Sequence, residues 1–244
     1  MIFNEFATFY DELFDPQMYQ KWAYFVKNNY NKGQKILDLA CGTGKLISIL
    51  KKEGYRVEGS DLSDEMLAIA DFNLKEAGFN VPLYNANMLD MSDLDIYDGI
   101  TCFDDSLCYL SNYDDLKLAF KQIYQHLNNS SLFSFDVITP YQVNEVYPGY
   151  MYNYRDETRA FMWTSYLTDE LNVIEHDLSF FLFNKNNQAY DEYNELHVEK
   201  TYTIDDYKNA LIQAGFNNIK VTSEFGEAKI KDDSTRWFFT CSKG

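Results

Sequence analysis

Apolar and polar positions fall into two alternating patterns along most of the chain. Short apolar runs at residues 35–40, 56–60, 81–86, 99–103 and 132–137 read as buried strands. Between them apolar residues return every three to four positions, as in helices packed on a sheet. One helix is signalled with particular clarity. Ser63 offers an N-cap, Asp64 and Glu65 lie in the first turn where the helix dipole favours acids, Leu67, Ala70 and Leu74 form the stripe, and Gly78 ends it. Leu116, Phe120, Ile123 and Leu127 mark another. Five such repeats predict an α/β fold with a mostly parallel sheet covered on both faces. A helix capped by Thr203 and ended by Gly215, with strands near residues 219–225 and 236–241, completes it. Upstream, Phe3, Phe6, Tyr10 and Leu13, then Tyr19, Trp22 and Val26 after Pro16, predict amphipathic helices that cap the sheet.

Residues 141–200 break this rhythm. Ile174, His176, Leu178, Phe180 and Leu182 alternate with Glu175, Asp177 and Ser179, and a turn at 184–187 leads to a second strand at 190–200. The segment reads as an antiparallel β insertion after strand five. Residues 1–140 and 201–244 then form the α/β core with its N-terminal helices, while 141–200 cover an acceptor site or make a homodimer contact.

Charge narrows the partners. The chain of 244 residues has 38 Asp and Glu against 21 Lys and Arg, a net charge of −17, so it lacks the basic footprint that dominates nucleic-acid affinity. Cys41, Cys102, Cys108 and Cys241 form no CxxC pair, and none lies at ligand spacing from His126, His176 or His197, so no metal is expected. The first residues are acidic rather than basic, and no apolar run reaches about 18 residues. No membrane association is therefore expected, and a cytoplasmic location with reduced thiols is. The 17% aromatic content predicts a ring-rich core or pocket.

Candidate chemistry begins at Asp38-Leu39-Ala40-Cys41-Gly42-Thr43-Gly44, a glycine loop between a buried strand and a helix N-terminus. Glycines there let a ligand approach the backbone, and free helix amides receive an anionic group. The dinucleotide fingerprint would need a third glycine where Ile47 stands, and the phosphate-binding GxxxxGK is absent. Cys41 beside the glycines is a small residue in a tight loop rather than a nucleophile.

This loop, followed by Gly59-Ser60-Asp61-Leu62-Ser63-Asp64-Glu65-Met66-Leu67, closely resembles the class I S-adenosylmethionine-dependent methyltransferases. Ala86-Asn87-Met88, Asp105-Ser106-Leu107-Cys108-Tyr109-Leu110 and Phe135-Asp136-Val137 are similar to the bacterial small-molecule branch that includes aminosugar N-methyltransferases. The resemblance implies a Rossmann-like seven-stranded sheet, S-adenosyl-L-methionine as cofactor and S-adenosyl-L-homocysteine as product. It also implies cofactor contacts from Ala40, Gly42 and Gly44, from Asp61 to the ribose hydroxyls with Leu62 beside it, and from Asp38 toward the amino group. Asn87 and Met88 would face the adenine, with Asn87 standing where the family commonly has Asp. Phe103, with Tyr10 and Tyr19 from the N-terminal helices, would close on the methyl end. Other roles remain open at this stage: Asp61 fits a helix cap, and Met88, Tyr10 and Tyr19 fit core packing.

Methyl transfer is an in-line displacement at a sulfonium methyl, so alignment and proton removal are what a protein must supply. Asp105 and Tyr109, beyond strand four, and His197 are the catalytic candidates. His197 shares a strand face with Tyr193, Glu195 and Glu199, opposite Leu196 and Val198, and the same pattern fits a solvated polar face. His126 reads as a helix-end residue and His176 as a packing histidine. The expected activity is methylation of a nitrogen or oxygen of a small-molecule acceptor. Alternatives are a protein or RNA methyltransferase and a non-catalytic S-adenosylmethionine-binding regulatory protein, since cofactor motifs report binding rather than turnover.

Overall fold

The computed structural model describes residues 16–244. The expected helix through Phe3 and Leu13, with Tyr10, lies outside the described residues. The first element is α1, Pro16–Asn29. It is followed by β1 (Lys35–Leu39), α2 (Lys45–Lys52), β2 (Arg56–Asp61), α3 (Asp64–Glu76), β3 (Leu83–Asn85), β4 (Tyr97–Cys102), α4 (Tyr113–Gln125) and β5 (Leu127–Ile138). The sheet is completed after α5 (Ile204–Ala214) by β10 (Phe216–Thr222) and β11 (Arg236–Lys243).

Seven strands lie in the order β10-β11-β5-β4-β1-β2-β3. The five from β5 to β3 run parallel, and β11 is antiparallel to both β5 and β10. This is the Rossmann-like sheet of the methyltransferase fold. The strand order reverses between β1 and β4, which opens the crevice where open α/β sheets bind ligands beyond the strands' C-terminal ends. Leu37, Ile100, Phe133, Phe135 and Phe120 fill one side of the sheet, and Trp22, Phe25, Ile36 and Ile47 fill the other. Local signals are met at α3, where the Ser63 hydroxyl accepts from the Met66 amide, and at α5, where Thr203 and Asp206 form a capping box.

Two boundaries differ most from the sequence pattern. β5 begins at Leu127 rather than 132, because backbone pairing of Leu127 with Tyr97 extends the strand through a polar stretch that has no apolar alternation to announce it. The segment at 219–225 shifts to Phe216–Thr222, and residues 224–226 turn into a short 3-10 helix.

The segment after β5 forms a second, antiparallel sheet ordered β6 (Met151–Arg155), β7 (Arg159–Leu167), β8 (Val173–Asn184) and β9 (Ala189–Lys200). Ile174, His176, Leu178, Phe180 and Leu182 are its buried face. The cross-strand pairs Ile174–Glu199, His176–His197, Leu178–Glu195 and Phe180–Tyr193 put the polar side of β9 on that same face. Leu196 and Val198, 65% and 44% exposed, face outward. The polar residues of β9 thus share the inward side, with Glu199 buried and Tyr193, Glu195 and His197 half-buried: register with β8, not local polarity, decides which side of the strand turns in.

Candidate active site

The glycine loop holds three left-handed residues, Ala40 at φ 62°, Gly42 at φ 52° and Gly44 at φ 76°. Gly44 precedes α2 with no side-chain cap, so the first amides of that helix point into the crevice. The two glycines serve different ends. A Cβ on Gly44 would press to 3.1 Å from the Ala70 Cβ, whereas one on Gly42 would meet no heavy atom within 4 Å. Gly44 thus packs α2 on α3, and Gly42 faces open space.

Asp61 ends β2 beside this loop. Its carboxylate accepts from the Gly42 amide at 2.8 Å and the Ser63 amide at 3.0 Å, while Ser63 itself caps α3. Asp61 therefore ties the loop to the start of α3. Asp38 lies deeper, accepting from the Thr101 hydroxyl at 2.8 Å. Burial pushes it up to about 7, against the pull of that hydroxyl and with a further rise from Asp61. Leu62 is exposed next to Asp61. Across the crevice, the Asn87 carbonyl oxygen accepts from the Leu89 amide at 2.9 Å, which leaves it a second lone pair, and Met88 packs half-buried on the core. Phe103 is buried and stacks on Trp22 at 6.3 Å. Tyr19 meets Trp22 edge-on at 5.4 Å, with the Lys45 ammonium over its ring at 5.4 Å. Burial pushes the Cys41 thiol well up, which makes it an inert packing group.

Beyond β4 the chain turns through Asp104 and Asp105, both left-handed, at φ 56° and 48°. Two consecutive non-glycine residues in this region cost roughly 1–3 kcal/mol each and persist only where surroundings hold them. Here the hold is a buried ion network. The Asp105 amide donates to Asp136 at 3.0 Å, and Arg236 reaches Asp105 at 2.7 Å and Asp136 at 3.1 Å. The Trp22 indole N–H donates to Asp136 Oδ2, the oxygen Arg236 also faces, at 2.7 Å, while the Asp105 amide takes Oδ1. Burial pushes Asp136 up, opposed chiefly by Arg236. Asp104 is only partly covered, yet burial of its carboxyl, with Asp105 adjacent, pushes it up to about 8. Glu199, buried on β9, is raised well above the usual carboxylate range by burial and then by Asp105.

Tyr109 and His197 come together here. The Tyr109 hydroxyl lies 2.9 Å from His197 Nδ1, and His197 Nε2 lies 2.8 Å from Glu195. His126 instead caps the end of α4, with Nδ1 2.8 Å from the Gln122 carbonyl, and His176 is a buried packing residue. Arg236, Trp22 and Glu199 are missing from the sequence reading of the site. Arg236 had a usable signal, since a cation heading the run Trp237-Phe238-Phe239 must carry carboxylates with it into the sheet. Trp22 and Glu199 had none, being stripe and strand positions like their neighbours.

Comparison with known proteins agrees with this geometry. The methyltransferase domain family matches residues 36–130. A Geobacillus sp. (strain WCH70) protein, provisionally named a methyltransferase, is 33% identical over 248 residues and covers 100% of both chains. The chain belongs to the S-adenosylmethionine-dependent methyltransferases. A methyltransferase structure from Clostridium acetobutylicum ATCC 824 superposes at a TM-score of 0.86, with 27% identity and 100% of each chain covered. Over part of its length the methyltransferase also resembles the aminosugar branch. The dTDP-4-amino-2,3,4,6-tetradeoxy-D-glucose N,N-dimethyltransferase of Saccharopolyspora spinosa is 31% identical over 102 residues, 42% of this chain and 39% of that one. S-adenosylmethionine is the cofactor of this enzyme, with S-adenosylhomocysteine its product. The residues present fit it: Gly42 leaves room for close approach, α2 begins without a side-chain cap, and the Asp61 and Asp38 carboxyls beside the loop are acceptors suited to hydroxyls and an ammonium. Among the described residues no helix is long and apolar enough to cross a membrane.

Proposed function

We propose that this methyltransferase acts on the nitrogen of a small-molecule amine. The carrying observation is the cluster of carboxyls beyond β4 and β5, where Asp104, Asp105, Asp136 and Glu199 surround the guanidinium of Arg236. Three of these four carboxyls are raised by burial, so a cation entering among them is stabilised and an anion is not. An ammonium has that charge; a neutral hydroxyl gains less. The amine named in the Saccharopolyspora spinosa relative supports this class of acceptor, while the net charge of −17 disfavours a polyanion.

In this reading Gly42 and the α2 amides approach the methionine end of the cofactor, with Asp38 near its amino group and Asp61 accepting from the ribose hydroxyls. Leu62, Asn87 and Met88 border the adenine, and Tyr19 and Phe103 close the methyl end. The bound cofactor supplies an electrophilic methyl on a good leaving group. Asp105 and Tyr109 hold the acceptor in line, and the antiparallel sheet at 141–200 covers it from water. The acceptor ammonium must lose a proton before its lone pair can attack, which gives His197 and the carboxyls near it their task. The enzyme works in the cytoplasm without nucleic acid or membrane.

The acceptor is tested by supplying cofactor labelled with carbon-13 in the methyl group to a panel of amines and their hydroxyl counterparts. The methyl resonance of the product separates N-methyl from O-methyl. The expected result is label on nitrogen of a small molecule; label on oxygen, or only in a protein or RNA fraction, contradicts the proposal. The ribose role of Asp61 has its own test. Asp61→Ala should weaken S-adenosylmethionine at least tenfold by calorimetry, about 1.4 kcal/mol, and unchanged affinity in a folded variant removes the assignment.

A further inference from the structure

Glu199, Tyr109, His197 and Glu195 form a continuous line from buried to exposed. Glu199 is 6% exposed and its carboxyl is hydrogen-bonded by the Tyr109 hydroxyl. Tyr109 in turn contacts His197 Nδ1 at 2.9 Å, and His197 Nε2 contacts Glu195, whose side chain is 35% exposed. The inner end faces Asp104, Asp105 and Arg236. Every group in the line can exchange a proton, and the last reaches solvent.

His176 closes the inner end. The Trp163 indole N–H, which can only donate, lies 3.2 Å from His176 Nδ1, and the Ser165 hydroxyl lies 2.7 Å from the same nitrogen. Nδ1 is therefore an acceptor, and the imidazole carries its proton on Nε2, which has no hydrogen-bond partner and stands 3.8 Å from Glu199. Protonating Nδ1 would lose both donors. Burial, with His197 across the strand pair, also lowers His176 to about 4. A proton on Glu199 thus has its outlet through Tyr109, not through His176.

We propose that Glu199, Tyr109, His197 and Glu195 are a proton relay that carries the proton given up by the acceptor amine out of the buried pocket. This rests on the reading of the acceptor as an amine. The ammonium gives one proton to the Glu199 carboxylate, leaving a free amine. Glu199 then donates to the Tyr109 oxygen as Tyr109 passes its own proton to His197 Nδ1. One O–H bond breaks and one forms at Tyr109, Glu199 returns to a carboxylate, and His197 becomes an imidazolium held by Glu195. The imidazolium releases its Nε2 proton to Glu195 or water, which leaves the Nδ1–H tautomer, and the relay resets when the ring exchanges that proton for one on Nε2 and the Tyr109 hydroxyl rotates back toward it. The same three contacts accommodate both ends of the transfer, since Tyr109 can donate to either neighbour while accepting from the other. Glu199, Tyr109 and His197 act here as relay and positioning residues.

The test reads the relay without an acceptor, in the full chain with S-adenosylhomocysteine bound. Carboxyl carbon-13 signals of glutamate and imidazole nitrogen-15 signals of histidine are followed across about pH 5 to 8. The groups facing the line are Asp104, Asp105, Cys108, Tyr147, His176 and Arg236, unchanged in every variant. In the wild type Glu199 and His197 should move in a shared, coupled transition. Tyr109→Phe, at an exposed position, should split it into two independent transitions, and Glu199→Gln should leave His197 with a single one. Independent titration in the wild type, or curves in Tyr109→Phe that superimpose on it, overturns the relay. A product methylated on oxygen overturns the amine reading instead and is seen in a different experiment.

Discussion

Replacing Arg236 by methionine is expected to destabilise the protein by about 3–5 kcal/mol. Methionine keeps the aliphatic stem but leaves Asp105 and Asp136 buried without their cation, and removing one partner of a buried ion pair costs that much because the remaining charge stays desolvated. Asp136 is fully buried and Asp105 nearly so, so solvent screening relieves little of the cost. Urea denaturation gives the value directly. Trp22→Phe, which removes the indole donor to Asp136 and part of a buried ring, should cost less, roughly 1–3 kcal/mol for the hydrogen bond and the packing together. A second substitution, Asp136→Asn, should return part of the stability lost in Arg236→Met, since it removes the orphaned charge. Stability of Arg236→Met within about 1 kcal/mol of wild type would mean that the network does not hold the Asp104-Asp105 turn.

Gly42→Val should abolish cofactor binding while leaving the protein folded. A Cβ there meets no heavy atom within 4 Å, so the protein leaves room for the branch point of the new side chain. The left-handed backbone at φ 52° adds strain of roughly 1–2 kcal/mol. The same open space is what the cofactor needs, and a branched side chain fills it. Calorimetry with S-adenosylmethionine should show a loss of a hundredfold or more, about 2.7 kcal/mol, with the thermal transition still cooperative. Near-normal affinity in Gly42→Val would place the cofactor somewhere other than this loop.

How much of this was legible in the sequence depends on the range of the interaction. The order of strands and helices, the Ser63 and Thr203 caps and the glycine loop rest on neighbours within a few residues, and local pattern finds them. β6 and β7 have no clean alternation, because Met151–Arg155 is exposed on both sides and β7 spreads Phe161, Trp163 and Tyr166 over both faces. The acidic pocket is harder still. Trp22 meets Asp136 across 114 residues, and Arg236 meets Asp105 across 131, so no spacing rule joins them. The inward turn of Glu195, His197 and Glu199 comes from register against β8. A strand whose outward residues are Leu196 and Val198 reads inverted until its partner is known.

The proposal that the transferred methyl lies between the glycine loop and the carboxyl cluster is tested most directly by a crystal structure of the full chain with S-adenosylhomocysteine. The predicted result has the ribose hydroxyls on Asp61, the methionine end over Gly42, and the sulfur opening toward Asp105, Tyr109 and Glu199. A cofactor seated away from Asp61, or one whose sulfur faces away from those three residues, would contradict it.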